Sequence, residues 1–129
     1  MERHNESSED YLERILMLQE QGNDHVHAID IASSMGYSKA SVSIALRKLE
    51  DEGMVYVGPK QVLSLTEKGL AVASATYERH KIVGNLFVLL GVDPEVAYQD
   101  SCKIEHDISE ETFQALKRKY LEMSAEEKK

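Results

Sequence analysis

Apolar residues recur at helical spacing through the first third of the chain and then change period. In residues 8–21, Tyr11, Leu12, Ile15, Leu16 and Leu18 fall on one face of a helix. Ser7, three residues before Asp10, reads as a capping box that opens this helix, and Gly22-Asn23-Asp24 ends it. Residues 26–35 give a shorter helix with Ile29, Ile31 and Ala32 inward. Gly36-Tyr37 makes a tight turn, and Ser38 is an N-cap for a third helix running to about residue 51. In that helix Val42, Ala45, Leu46 and Leu49 face inward, which leaves Ser38, Lys39, Ser41, Ser43 and Arg47 outside.

After Gly53 the period shortens to two. Met54-Val55-Tyr56-Val57 and Val62-Leu63-Ser64-Leu65 read as short strands flanking Gly58-Pro59-Lys60-Gln61, a hairpin with a polar, basic tip. Thr66 then caps a long helix over about residues 67–90, whose apolar positions include Leu70, Ala73, Tyr77, Ile82, Leu86, Phe87 and Leu90. Asp93-Pro94 is a cap followed by proline at the first helical position, opening a helix to about residue 107. Ser109 opens a last helix, with the charged end 126–129 expected to fray. The fold class that follows is mainly α. An N-terminal winged helix-turn-helix with a two-stranded hairpin fills residues 1–66, and an all-helical region fills 67–129.

Composition narrows the setting. With 129 residues the chain holds one ordinary domain or a small domain with a helical annex. It has no run of eighteen apolar residues and no basic start followed by an apolar stretch, so neither a membrane span nor an export signal is expected. The single cysteine, Cys102, excludes an intrachain disulfide and points to the reducing cytoplasm. A formal net charge of −8 argues at first against a nucleic-acid partner. What DNA binding requires is a local basic patch, and the acidic excess is then expected elsewhere.

Helix, tight turn, helix and hairpin is the order of a winged helix-turn-helix. There the second helix of the pair enters the major groove with small and hydrogen-bonding groups on its outer face. Ser38, Lys39, Ala40, Ser41, Ser43 and Arg47 suit that task, and Lys60 at the hairpin tip would reach the neighbouring phosphate backbone. The acidic run Glu50-Asp51-Glu52 should point away from phosphates. Alone, the serine-rich helix reads equally as any soluble helix with a polar outer face. The whole order, including the exit Leu65-Thr66-Glu67-Lys68-Gly69, favours double-stranded DNA.

A second cluster, Cys102-Lys103-Ile104-Glu105-His106, carries different chemistry. If helix continues to residue 107, positions 102, 105 and 106 share a face, where thiolate, carboxylate and imidazole make a transition-metal site. Three donors leave a divalent ion unsaturated, so further ones are sought in Asp10 and Glu13 on the first helix and His80 in the long one. Each has a plainer reading: Asp10 as the capping acid, Glu13 as a solvated charge, His80 as a hydrogen-bonded interfacial histidine and Cys102 as a small core residue.

Taken together, Glu9-Asp10-Tyr11-Leu12-Glu13, the helix-turn-helix, Leu65-Thr66-Glu67-Lys68-Gly69, Arg79-His80 and Cys102-Lys103-Ile104-Glu105-His106 resemble the diphtheria toxin repressor / manganese transport regulator family, from about Ser8 to Tyr120. The resemblance implies a homodimer, with a winged helix followed by a helical dimerisation region that shares the metal site. It further implies activation of DNA binding by divalent iron or manganese, and target genes of metal uptake. Asp10 stands where manganese sensors carry aspartate and iron sensors methionine. Glu13 and His80 match ligands of the manganese branch, and His80 also matches an ancillary ligand of the iron branch. Cys102 matches the iron branch, whereas Glu105 and His106 match both. Gly84 and Tyr98 depart from the ancillary ligands of the iron branch. The chain ends near Lys129, so no counterpart of the additional C-terminal domain of longer iron-branch members is expected.

A soft thiolate favours iron(II), with manganese(II) second because Asp10 and Glu13 are hard donors; zinc(II) or cobalt(II) can occupy such a site in vitro. Two other readings stand beside the metal-dependent repressor that binds a palindromic operator. One is a winged-helix regulator answering a small organic ligand or none. The other, a metalloenzyme using the same donors, lacks an evident general base or phosphate loop in the sequence.

Overall fold

A computed structural model describes residues 6–127. The order is α1 (Glu6–Glu20), α2 (Ala28–Met35), α3 (Lys39–Asp51), β1 (Val55–Val57), a single 3-10 turn (Pro59–Gln61), β2 (Leu63–Leu65), α4 (Glu67–Leu89), α5 (Pro94–Ile104) and α6 (Glu110–Glu127). The fold is mainly α, a winged helix-turn-helix followed by a helical region. It divides into two compact units between Ala75 and Thr76. No helix among the described residues is long and apolar enough to cross a membrane.

The first unit closes around one core. Tyr11, Leu12 and Ile15 from α1, Ile31 and Ala32 from α2, and Val42, Leu46 and Leu49 from α3 are buried together with Met54, Val55 and Leu63. Each large side chain withdrawn from water in this way contributes roughly 1.5–3 kcal/mol. Ser38 caps α3 as its residue type predicts, its Oγ accepting the Ser41 N–H at 3.1 Å.

Three local expectations are corrected. α1 already begins at Glu6, so Ser7 and Asp10 do not open it. α2 begins at Ala28, because Val26 is taken by the hairpin: its carbonyl accepts the Leu63 N–H at 2.8 Å. The cap is then built at His27, whose N–H donates to the Asp30 carboxylate at 2.8 Å. Ile29 is 46% exposed and no core residue, because it lies about 200° around the helix from Ile31. Ala28, Ile31, Ala32 and Met35 form the stripe that packs inward.

The hairpin is antiparallel, pairing Val55 with Leu65, Tyr56 with Ser64 and Val57 with Leu63. Its tip places two consecutive non-glycine residues in the left-handed region, Lys60 at φ 60° and Gln61 at φ 63°. The exit into α4 explains the Leu65–Gly69 sequence. Thr66 Oγ1 donates to the Gly53 carbonyl at 2.6 Å and accepts the Gly69 N–H at 3.0 Å, while Lys68 Nζ donates to the Glu52 carbonyl at 3.3 Å. A Cβ on Gly69 would lie 1.9 Å from the Met54 carbonyl oxygen, so only glycine lets the first turn of α4 approach that backbone.

In the second unit Val83 and Leu86 of α4, Ala97 of α5 and Phe113 of α6 are buried. Ser109 caps α6, accepting the Thr112 N–H at 3.1 Å. Leu70 and Leu90, read as apolar positions of α4, are 45% and 63% exposed. α6 runs to Glu127, and the expected fraying of Lys128 and Lys129 lies outside the described residues.

Candidate functional site

Three potential ligand atoms meet in the second unit. His80 on α4, Cys102 in the last turn of α5 and Glu105 just beyond it bring an imidazole nitrogen, a sulfur and a carboxylate oxygen within 4.8 Å of one another. His80 Nδ1 lies 3.0 Å from Glu105 Oε2 and 3.5 Å from Cys102 Sγ, and His106 Nε2 lies 3.3 Å from Glu105 Oε1. Glu105 is 1% exposed and His80 8%, whereas Cys102 is exposed.

The expected helix to residue 107 is not what gathers these groups, since α5 stops at Ile104. Glu105 keeps helical angles (φ −60°, ψ −27°) as the C-cap, which is enough to leave it one turn beyond Cys102. Two side chains not singled out as functional from the sequence set this turn. Ser101, fully buried, donates from Oγ to the His80 carbonyl at 2.7 Å and ties α5 to α4 beside the cluster. Arg79 donates at 3.0 Å to the carbonyls of both Glu105 and Ile108, and at 2.9 Å to the Glu110 carboxylate. Its guanidinium sits 5.0 Å from the centre of the Phe113 ring. The only sequence signal for Arg79 was its place beside His80 in the resembling motif.

The electrostatics follow from burial. Burial alone would lower the pKa of the His80 imidazole; against it, the hydrogen bonds to Cys102 and Glu105 and the charges of both push it up to about 10. Burial would raise the Glu105 carboxyl, but the hydrogen bonds from His106 and His80, with their charges, hold it below the usual carboxylate range. Without an ion, the cluster is a carboxylate neutralised by imidazolium. A soft sulfur, a borderline nitrogen and a hard oxygen converging on one point fit a divalent transition ion, whose charge can replace that imidazolium.

Asp10 and Glu13 stand on α1 in the first unit, Asp10 partly exposed and Glu13 only 5% exposed. Glu13 is therefore no solvated charge, and Asp10 is no capping acid. Cys102, being exposed, is no core residue. At the positions where the chain departs from the iron branch, the Tyr98 ring covers Gly84 so closely that a Cβ there would lie 2.3 Å from a ring carbon. The Tyr98 hydroxyl donates to the Asn85 side chain.

The face expected to meet DNA lies in the first unit. Ser38, Lys39, Ala40, Ser41, Ser43 and Arg47 are all exposed along α3, and Lys60 is exposed at the hairpin tip. Ser38 Oγ also donates to Ser41 Oγ at 3.0 Å, so its first task is the cap. Between α3 and the hairpin runs a cleft of about 450 Å³, lined by Ser43, Arg47 and Glu50 on one side and Val57 and Gln61 on the other. Glu50 thus lines the same cleft as Arg47, and the acidic end of α3 is not wholly turned away from it.

Residues 4–63 match the family described as "Iron dependent repressor, N-terminal DNA binding domain", and residues 66–125 match "Iron dependent repressor, metal binding and dimerisation domain". The chain is 36% identical over 110 residues to the transcriptional regulator MntR of Escherichia coli, covering 84% of this chain and 70% of that protein. It is 30% identical over 112 residues to the diphtheria toxin repressor of Corynebacterium efficiens, covering 86% of this chain and 48% of that one. A solved manganese-dependent transcriptional repressor in complex with manganese superposes with a TM-score of 0.80 at 27% identity, covering 88% of this chain and 52% of the other. The chain therefore spans about half the length of the last two.

Proposed function

Since this chain belongs to the iron dependent repressor family, metal-dependent regulators with a DNA-binding and a metal-binding and dimerisation domain, we propose that it acts in the cytoplasm as a repressor of metal-uptake genes. A homodimer binds a palindromic operator when each subunit holds a divalent ion. The observation that carries the reading is the convergence of His80, Cys102 and Glu105 within 4.8 Å, in the half of the chain that matches the metal-binding domain.

His80, Cys102 and Glu105 are the proposed core of the donor set, with His106, Asp10 and Glu13 completing it. The bound ion supplies the positive charge that lets several anionic donors share one small volume. Arg79 and Ser101 fix the backbone from which Glu105 and His80 project, so little ordering remains to be done on binding. Participation of Asp10 and Glu13 couples ligation to α1, which packs against α2, α3 and β2 in the DNA-binding unit. A coupling of this kind is typically about 1–3 kcal/mol.

On the DNA side, residues 31–49 and 53–66 contain Lys39, Arg47, Lys48 and Lys60 and no carboxylate, which supports the face despite the net charge of −8. Two such helices, about one turn of DNA apart in the dimer, suit a palindrome. The Cys102 thiolate favours iron(II), with manganese(II) second; zinc(II) or cobalt(II) fills the site in vitro.

The test is fluorescence anisotropy with the DNA upstream of the protein's own gene, in chelator and then under anaerobic iron(II), manganese(II), cobalt(II) or zinc(II) at controlled free concentration. About a tenfold rise in affinity with an ion, equivalent to about 1.4 kcal/mol, is expected. Glu105→Ala and Cys102→Ala should lose it. DNA affinity indifferent to every ion overturns the metal-dependent reading and leaves a winged-helix regulator answering an organic ligand or none.

A further inference from the structure

α3 buries Val42, Leu46 and Leu49, and directly across the helix from Val42 and Leu46 stands Ile44. It is 73% exposed, the most exposed large hydrophobic side chain among the described residues. Nothing among the described residues of this unit accounts for it. Ile44 adds nothing to the core, and a β-branched residue is a poorer helix former than the straight-chain polar residues that suit a solvated position. Its neighbours one turn away are Ala40 and Ser41 on one side and Arg47 and Lys48 on the other, all exposed. An apolar side chain at the centre of a small, cationic helix face is therefore matched to a partner that is anionic around its rim and apolar at one point.

The major groove of DNA has that character. Phosphates line its edges, its floor is a pattern of polar donors and acceptors, and the one apolar group on the floor is the C5-methyl of thymine. We infer that Ile44 is a specificity-determining residue that packs against a thymine methyl in each half-site. This rests on the DNA-binding reading above and adds the base that the helix selects. Ser43 and Arg47 beside it supply hydrogen bonds and charge, which fix register. Ile44 supplies discrimination, since a cytosine or purine at that position would set a polar edge against its side chain.

The experiment uses metal-loaded wild-type protein to enrich duplexes from a randomised pool, and then replaces each thymine of the enriched site by deoxyuridine, which lacks only the methyl. One position per half-site should lose about fourfold in affinity, the worth of about one buried methyl group (about 0.8 kcal/mol). Ile44→Ala should bind the thymine duplex more weakly by at least that factor and no longer distinguish thymine from uracil there. Its unfolding midpoint should not fall, because the side chain is already in water and alanine is the better helix former. Wild-type binding insensitive to uracil at every position overturns the inference, as does an Ile44→Ala variant that keeps the sensitivity. Loss of the dimer in sedimentation of Ile44→Ala also overturns it, by making the residue a contact between copies. If no sequence is enriched at all, it is the DNA-binding reading that fails.

Discussion

Glu105 is almost fully withdrawn from water, and the imidazoles of His80 and His106 beside it are what keep it charged. In chelator this gives a defined pH dependence. His80 is raised from 6.5 to about 10, so its contribution to stability is complete below about pH 6.5 and is lost as pH rises through 10. Glu105 is lowered from 4.5, so its contribution is present above that value and fades as pH falls below it. Urea denaturation of the metal-free protein should show the pair's full contribution between about pH 4.5 and 6.5 and a declining limb towards pH 10, and His80→Gln should flatten that limb. Arg79 gives a second prediction. Replacing it by Leu leaves the Glu105 and Ile108 carbonyls without their donor, which should cost about 1–3 kcal/mol in the same assay. It should also weaken cobalt(II) binding, read from the absorption of the thiolate-bound ion. Arg79→Lys should recover only part of both, because an ammonium presents its donors from one nitrogen, whereas Arg79 serves the two carbonyls from Nη1 and the Glu110 carboxylate from Nη2.

At the scale of elements, the entry to α4 is the most tightly specified joint in the first unit. Gly69→Ala sets a Cβ against the Met54 carbonyl, backbone that cannot rotate away, and should destabilise by about 3 kcal/mol in thermal or urea unfolding. Gly53→Ala meets no atom, but at φ 76° it should cost about 1 kcal/mol through its backbone alone. Much at this scale was legible in the chain. The Ser38 and Ser109 caps, the Val42-Leu46-Leu49 stripe and the change of period after Gly53 each have a local physical signature. The side on which Ile29 falls is not legible, because hydrophobicity names a residue type and not a side of a two-turn helix. The end of α5 at Ile104, three residues before the expected one, is not legible because the sequence there contains no breaker: the helix stops where Arg79, far away in the chain, takes the carbonyls of Glu105 and Ile108. For the same reason the Cys102–Glu105 pairing was legible from spacing alone, whereas the short distance from both to His80 depends on how α4 and α5 pack.

For the molecule as a whole, a net charge of −8 confines the electrostatic share of the proposed DNA binding to the few cations of α3 and the hairpin tip. With Lys39, Arg47 and Lys60 as the phosphate contacts of each subunit, a dimer neutralises about six phosphates, and log affinity should fall against log salt with a slope of about −5. Lys60→Gln should reduce that slope by about 2 per dimer without changing which sequence is preferred. A slope near −10 would mean that cations outside α3 and the hairpin share the contact. The tip carrying Lys60 has a consequence of another kind. Glycine at 60 and 61 would meet the two positive φ values without steric cost, and L-residues there forgo up to about 1 kcal/mol each. Gln61→Gly should therefore raise the unfolding midpoint. A chain optimised for durability alone would have made that exchange, so the tip marks a place where persistence has been traded for a side chain facing outward.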